Sequence, residues 1–221
     1  TVPEMAAVYI QAIRHVQANG PYRVAGWSAG GTIAFEIARQ LIKAGETIEF
    51  LGLIDTTSDY SALQAGLSQP MTGDADVDDA NALLANLPHE LPRNLTTQLR
   101  TLAESGAVAA MLEQCRSAGM FPAGIDPTTL RRHLAVRASI LRALKDYTLS
   151  PLAIPMSLFL AKQEAHSDPT LGWGALMGDR LDLIEVEGNH YSIMDKPNIQ
   201  GLALAITNAL SATKRLASSQ V

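Results

Sequence analysis

The chain has 221 residues, 47% of them hydrophobic and 18% charged, with a formal net charge of −5 at pH 7 and a single cysteine. That length fits one large domain or two small ones, and the composition is that of a globular protein able to bury a sizeable core. Without a block of Lys or Arg, the acidic balance argues against nucleic acid as the main partner. The lone Cys115 excludes an internal disulfide and a cysteine-based metal cluster, and it reads as a small buried helix residue. No run of about 18 apolar residues and no signal-peptide layout occur in the sequence, so it reads as cytoplasmic and without a membrane segment.

Taken in chain order, Thr1 stands three residues before Glu4 with Pro3 between them, the signature of a capping box opening a helix. Val8, Ala12 and Val16, flanked by Met5, Tyr9 and Ile13, continue it at helical spacing to Asn19-Gly20-Pro21. Residues 22–27 are a short, mostly apolar run that predicts a buried strand. From Ala29 the spacing turns helical through Ile33, Ile37 and Leu41 to Gly45, and "IEFLGLID" (48–55) predicts a second strand. Strand, glycine turn, helix, strand is the unit of a parallel sheet with helices on its faces.

Between about 58 and 150 there is no convincing strand. Helices are expected at 79–87, 92–104, 106–117 and 127–146, which together read as a helical insertion. The α/β pattern resumes with "IPMSLFLA" (154–161) and "LDLIEVEG" (181–188). A last helix is expected near Ile199 to Leu210, followed by a frayed polar tail after Ser211.

The chemistry centres on "GWSAGG" (26–31). A serine on a strand-to-helix elbow is held in a strained conformation, so the residues two positions away, Gly26 and Gly30, are expected to be small to avoid collision. That geometry exposes the Ser28 hydroxyl and aims the first helical amides, Ala29 foremost, at the place where an oxyanion would develop. A bare G-x-S-x-G pattern is weak evidence; its position between an expected strand and an expected helix gives it force.

A serine needs a base, most often a histidine oriented by a carboxylate. Of the five histidines, His15, His89 and His133 fall on or near helices and His166 in a loop, where a solvated or structural role is the plainer reading. His190 follows a strand and a glycine in "VEGNHYSIM", at the carboxyl edge where open α/β sheets place their chemistry. For the acid, Asp55 at the end of "FLGLID" and Asp168 in the loop after 154–161 both give the order Ser, Asp, His. Asp55 is favoured because a strand end is held more rigidly than a loop; its plainer alternative is a turn cap with Thr56 and Thr57.

With these residues placed, the chain resembles the thioesterase domains that end non-ribosomal peptide synthetases and polyketide synthases. The resemblance is carried by "PYRVAGWSAGGTIAFEIARQL" (21–41), "FLGLIDTTSDY" (50–60), "LRALKDYTLSPLAIPMSLFLA" (141–161), "DPTLGW" (168–173) and "VEGNHYSIM" (186–194). It implies one α/β-hydrolase domain over 1–221, a mostly parallel sheet with flanking helices, and a helical lid at about 58–150 between the acid-bearing strand and the next. It also implies the acid at Asp55, acyl transfer through an acyl-Ser28 intermediate with His190 as base, and no bound metal or cofactor. The small-molecule acyl substrate would ride on the phosphopantetheine arm of an acyl or peptidyl carrier protein domain.

One departure bears on the site. The family begins with further strands, one of whose loops supplies a second oxyanion amide, whereas this sequence opens on the helix before the nucleophile strand. The expectation is a sheet whose N-terminal strands are absent, one oxyanion donor unaccounted for, and an exposed strand edge that invites self-association. Arg131, Arg132, Arg137, Arg142 and Lys145 on one helix are candidates for meeting an acidic carrier, against the plainer reading of a solvated helix face. The competing functional classes are a free-standing esterase or lipase with the same triad and a non-catalytic carrier-binding module.

Overall fold

The computed structural model describes residues 1–60, 72–85, 87, 91–121, 125–163 and 167–218. The chain divides into two compact units: a sheet unit of Thr1–Tyr60 and Ala143–Val221, and a helical unit of Ser61–Arg142 inserted between its second and third strands.

The sheet unit opens with α1 (Val2–Val16), which has the expected capping box between Thr1 and Glu4. The residues whose spacing predicted α1 are not its buried ones: only Val2 and Ala6 are fully buried, and Val8, Tyr9 and Val16 are exposed, Val16 by 91%. Helical periodicity marks an apolar face without saying what covers it. Next come β1 (Tyr22–Trp27), α2 (Ala29–Lys43) and β2 (Ile48–Ile54). After the insertion follow β3 (Met156–Ala161), β4 (Leu181–Val186) and the C-terminal helix Asn198–Ser218.

Among the described residues the four strands lie in sequence order and all pair in parallel. The register aligns their carboxyl ends: Trp27 faces Ile54, Ile54 faces Phe159, and Ala161 faces Val186. Whatever follows these residues therefore emerges along one edge. Helix α2 packs on the sheet and buries nine of its residues, among them Thr32 and Glu36. Elsewhere Phe50, Ile54 and Phe159 pack with Ile193 and Leu202.

The C-terminal helix runs eight residues past Leu210, where a frayed tail was expected. In that stretch Ser211 and Thr213 fold their hydroxyls back onto the Thr207 and Ala209 carbonyls.

The helical unit contains α3 (Ala75–Ala85), α4 (Arg93–Glu104), α5 (Val108–Ser117) and most of α6 (Pro127–Lys145). Helix α3 starts four residues earlier than the spacing suggested, because the Asp74 carboxylate accepts from the Asp76 and Val77 amides and so caps it. An apolar cluster holds the unit together: Leu83, Leu95, Leu99, Met111, Leu112, Leu130 and the buried Cys115.

Candidate active site

Ser28 follows the last residue of β1 and caps α2 with φ 55° and ψ −129°. Such a conformation is rare for a residue with a side chain and costs about 1–3 kcal/mol, so its surroundings must impose it. They do so on both sides. The Ser28 amide donates to the Ile54 carbonyl at 2.9 Å, continuing the β1–β2 ladder one residue beyond the strand, and the Gly31 amide donates back to the Ser28 carbonyl at 2.9 Å.

The tight spots differ in part from expectation. A Cβ on Gly26 would lie 2.1 Å from the Gly30 carbonyl oxygen, so smallness at 26 is demanded. A Cβ on Gly30 would meet nothing within 4 Å, whereas one on Gly31 would lie 2.0 Å from Thr56 Oγ1. The second steric requirement is thus at 31, where α2 presses on the residue that follows Asp55.

Asp55 is buried, also has positive φ (44°), and donates its amide to the Phe159 carbonyl at 2.8 Å. Its Oδ1 accepts from the Ala161 amide at 3.0 Å, so β3 contributes a backbone donor to the carboxylate. Its Oδ2 accepts from His190 Nδ1 at 2.7 Å, and Ser28 Oγ lies 3.0 Å from His190 Nε2. Since a carboxylate accepts, these contacts assign the proton to Nδ1 and leave Nε2 to accept from the serine hydroxyl. Ser28 and Asp55 directly follow β1 and β2, and His190 lies in the loop after β4.

The His190 loop is built by its neighbours. Gly188 takes φ 115°, and Asn189 Oδ1 accepts from the Tyr191 and Ser192 amides, closing an Asx turn over the short 3₁₀ turn Ser192–Met194. Trp27, immediately before the serine, donates Nε1–H to the His190 carbonyl at 3.0 Å, and its ring centroid lies 5.2 Å from the imidazole. The strand that presents the serine therefore also holds the histidine.

Asp168, the alternative acid, spends its carboxylate on its own loop, accepting from the Thr170 hydroxyl and amide and from the Gly172 amide. Those bonds hold it below the usual carboxylate range. The same loop braces the acid from behind: the Leu171 carbonyl accepts from the Ser58 amide, and buried Trp173 donates Nε1–H to the Thr56 carbonyl at 2.8 Å. Sequence reasoning passed over the brace and Asn189, although a tryptophan behind "DPTLG" and an Asn directly before His190 were signals to read.

Of the other histidines, His15 lies exposed on α1 and His133 exposed on α6, while His89 and His166 fall outside the described residues. Arg131 of the basic helix is already engaged in exposed ion pairs with Asp76 and Asp79. Among the described residues there is no grouping of three or more His, Cys, Asp or Glu suited to a metal ion, and no helix long and apolar enough to cross a membrane.

A parallel sheet with a strained serine elbow and a Ser–His–Asp chain across its carboxyl edge defines an α/β-hydrolase. Residues 1–208 match the family model described as Thioesterase domain, and the chain belongs to that family. It is 30% identical over 213 residues to the non-reducing polyketide synthase ntnG of Nectria sp, covering 94% of this chain and 10% of that protein. The chain thus spans about a tenth of the length of the polyketide synthases it matches.

Among solved structures it resembles the four-domain non-ribosomal peptide synthetase AB3403, with 28% identity and a TM-score of 0.72 over 95% of this chain and 16% of that one. It also has the fold of the NocB thioesterase domain, with 22% identity and a TM-score of 0.62 over 95% of this chain and 75% of that one.

Proposed function

We propose that the chain acts as the release domain of a synthetase, freeing an acyl, peptidyl or polyketide chain from the phosphopantetheine thioester of a carrier protein. The observation that carries this reading is the unbroken Ser28–His190–Asp55 hydrogen-bond chain, at 3.0 and 2.7 Å, in a member of the thioesterase family. Both units belong to one thioesterase domain in this reading, supported by a family match that runs through them.

Ser28 Oγ attacks the thioester carbonyl while His190 Nε2 takes its proton, and Asp55 stabilises the imidazolium that forms. The amide of Ala29, the first residue of α2, has no acceptor within its own helix and donates to the oxyanion. Collapse of the tetrahedral adduct breaks the C–S bond, and the thiol leaves with the proton from His190. His190 then deprotonates water or a nucleophile on the acyl chain itself, which attacks the acyl-serine; collapse returns the proton to Ser28 and frees an acid or a cyclic product. No step needs a metal or a redox cofactor.

The carrier is acidic in this reading and meets Arg132, Arg137, Arg142 and Lys145, all exposed on α6. Strand β1, paired only with β2 among the described residues, and the exposed Val8, Tyr9 and Val16 support self-association; a monomer in sedimentation would count against it.

The test is intact mass after exposure to a fluorophosphonate, beside a Ser28→Ala control, followed by acyl thioesters and simple oxyesters as substrates. One adduct on Ser28, absent from the control, with thioesters turned over in preference to esters, is expected. Preference for simple esters would favour a free-standing esterase, and a folded chain without adduct would favour a non-catalytic carrier-binding module.

A further inference from the structure

Two phenols that this chemistry does not use stand where the chain leaves the sheet unit and where it returns. Tyr60 is the last residue before the helical unit begins at Ser61, and Tyr147 lies just inside the segment that resumes at Ala143. The Tyr60 hydroxyl is 2.8 Å from Thr32 Oγ1, in a buried contact. The Tyr147 hydroxyl donates to Glu36 Oε2 at 2.5 Å. Thr32 and Glu36 are both buried on α2, four residues apart, which puts them on adjacent turns of one face. Ser28, the cap of the same helix, stands four residues before Thr32 and starts that row.

The two fastenings differ in strength. Burial alone would raise the Glu36 carboxyl, but hydrogen bonds from Arg39, Tyr147 and Gln40 outweigh it and hold it below the usual range, so it is an anion. Arg39 engages both its oxygens, at 2.5 and 2.6 Å, and Gln40 bonds it at 2.7 Å while also donating to the Pro3 carbonyl. The return stem is thus held by a charge-assisted bond. The outbound stem is held by a neutral one: burial pushes the Tyr60 phenol up to about 12, so both partners are uncharged hydroxyls.

We propose that Tyr60 and Tyr147 are positioning residues, latches that fasten the outbound and return stems of the helical unit to the helix that begins at the nucleophile. They hold the two stems against the helix that carries Ser28 at its cap, and through that helix they tune which acyl chains Ser28 accepts, without touching the reacting atoms. The fastening stands on the geometry alone; its kinetic consequence rests on the thioesterase reading.

The experiment is hydrogen exchange on the full chain for the native protein, Tyr60→Phe, Tyr147→Phe, the double variant and Glu36→Gln. Phenylalanine keeps the buried ring and removes only the hydroxyl. Loss of a charge-assisted bond is expected to speed local exchange at 146–152 by about tenfold or more, and loss of the neutral bond to speed exchange at 56–60 by about threefold. Glu36→Gln, which keeps an acceptor for Tyr147, is expected to fall between native and Tyr147→Phe.

In the same variants, fluorophosphonate labelling of Ser28 and kcat are expected to stay within about twofold, while KM for a long acyl thioester rises more than KM for an acetyl thioester. Unchanged stem exchange in the double variant, or an increase spread evenly over the sheet unit, would overturn the latches. Equal losses for short and long chains would overturn the role in acyl selection. A native protein that turns over no thioester would sink the functional reading and leave the exchange result to judge the latches.

Discussion

In the sheet unit, buried polar side chains gather around one helix and one strand edge: Thr32, Glu36, Asp55 and Thr56, each with a hydrogen-bond partner. The cluster that holds the helical unit is apolar throughout, drawn from Leu, Ala, Val, Met and Cys. The difference matters because a buried polar group is tolerated only when its partners are correctly placed, whereas an apolar cluster accepts many packings of similar volume. Groups that must hold hydrogen-bond distances sit in the first kind of environment; the second can diverge in sequence and still pack.

The sharpest way to break this contrast is to remove the carboxylate charge paired with His190. Asp55→Asn is expected to lower kcat by about a thousandfold or more while the fold survives, measured as thioester hydrolysis. Asp168→Asn, on a carboxylate committed to its own loop, is expected to cost less than about threefold. A comparable loss in both would mean that the brace and the acid are not separable.

Next in size, Leu99→Ala in the helical cluster is expected to cost about 2–5 kcal/mol, read as faster exchange in α4 and α5. Labelling of Ser28 by a small fluorophosphonate is expected to persist. If labelling fell in step with exchange, the contrast between the apolar cluster and the polar site would fail.

Smaller still is a contrast within one helix turn. Gly31→Ala drives a methyl into Thr56 and is expected to destabilise the sheet unit by about 1–3 kcal/mol, whereas Gly30→Ala, with open space, is expected to stay neutral or gain up to about 1 kcal/mol from helix propensity. Thermal melts of the two variants decide it, and equal effects would mean that the elbow is less tightly packed than described.

The smallest effect concerns acid. Glu36 has a folded-state pKa below its ordinary value of 4.5, so the stability it contributes is present above that value and is lost as pH falls through the folded one. Glu36→Gln should therefore flatten the stability curve below about pH 4.5. Parallel curves for native and variant would show that the charge contributes nothing to the fold.

Much of the site was legible because its signals are local. Gly26, Ser28 and the apolar runs around them encode a strand, a strained turn and a helix within residues 22–43, and a histidine after a strand and a glycine points to the same edge. Less legible was whatever depends on who stands opposite. The G-x-S-x-G spacing singles out Gly30, and only the approach of Thr56 makes Gly31 the obligatory glycine instead. Asp55 and Asp168 shared the same chain order, and the register that brings the Ala161 amide to Asp55 separates their surroundings.

What the sequence determined by itself was the alternation of elements, the capping box at Thr1 and the candidates for nucleophile, base and acid. Each is a matter of period, turn chemistry or neighbouring residues. Tertiary structure alone decided that three side chains from the segments that follow β1, β2 and β4 meet within hydrogen-bond distance. It alone brought Trp27 to the His190 carbonyl, joined Tyr60 and Tyr147 to one face of α2, and left Val8, Tyr9 and Val16 of α1 exposed. These contacts join residues far apart in the chain, and hydrophobic spacing carries no record of a partner a hundred residues away.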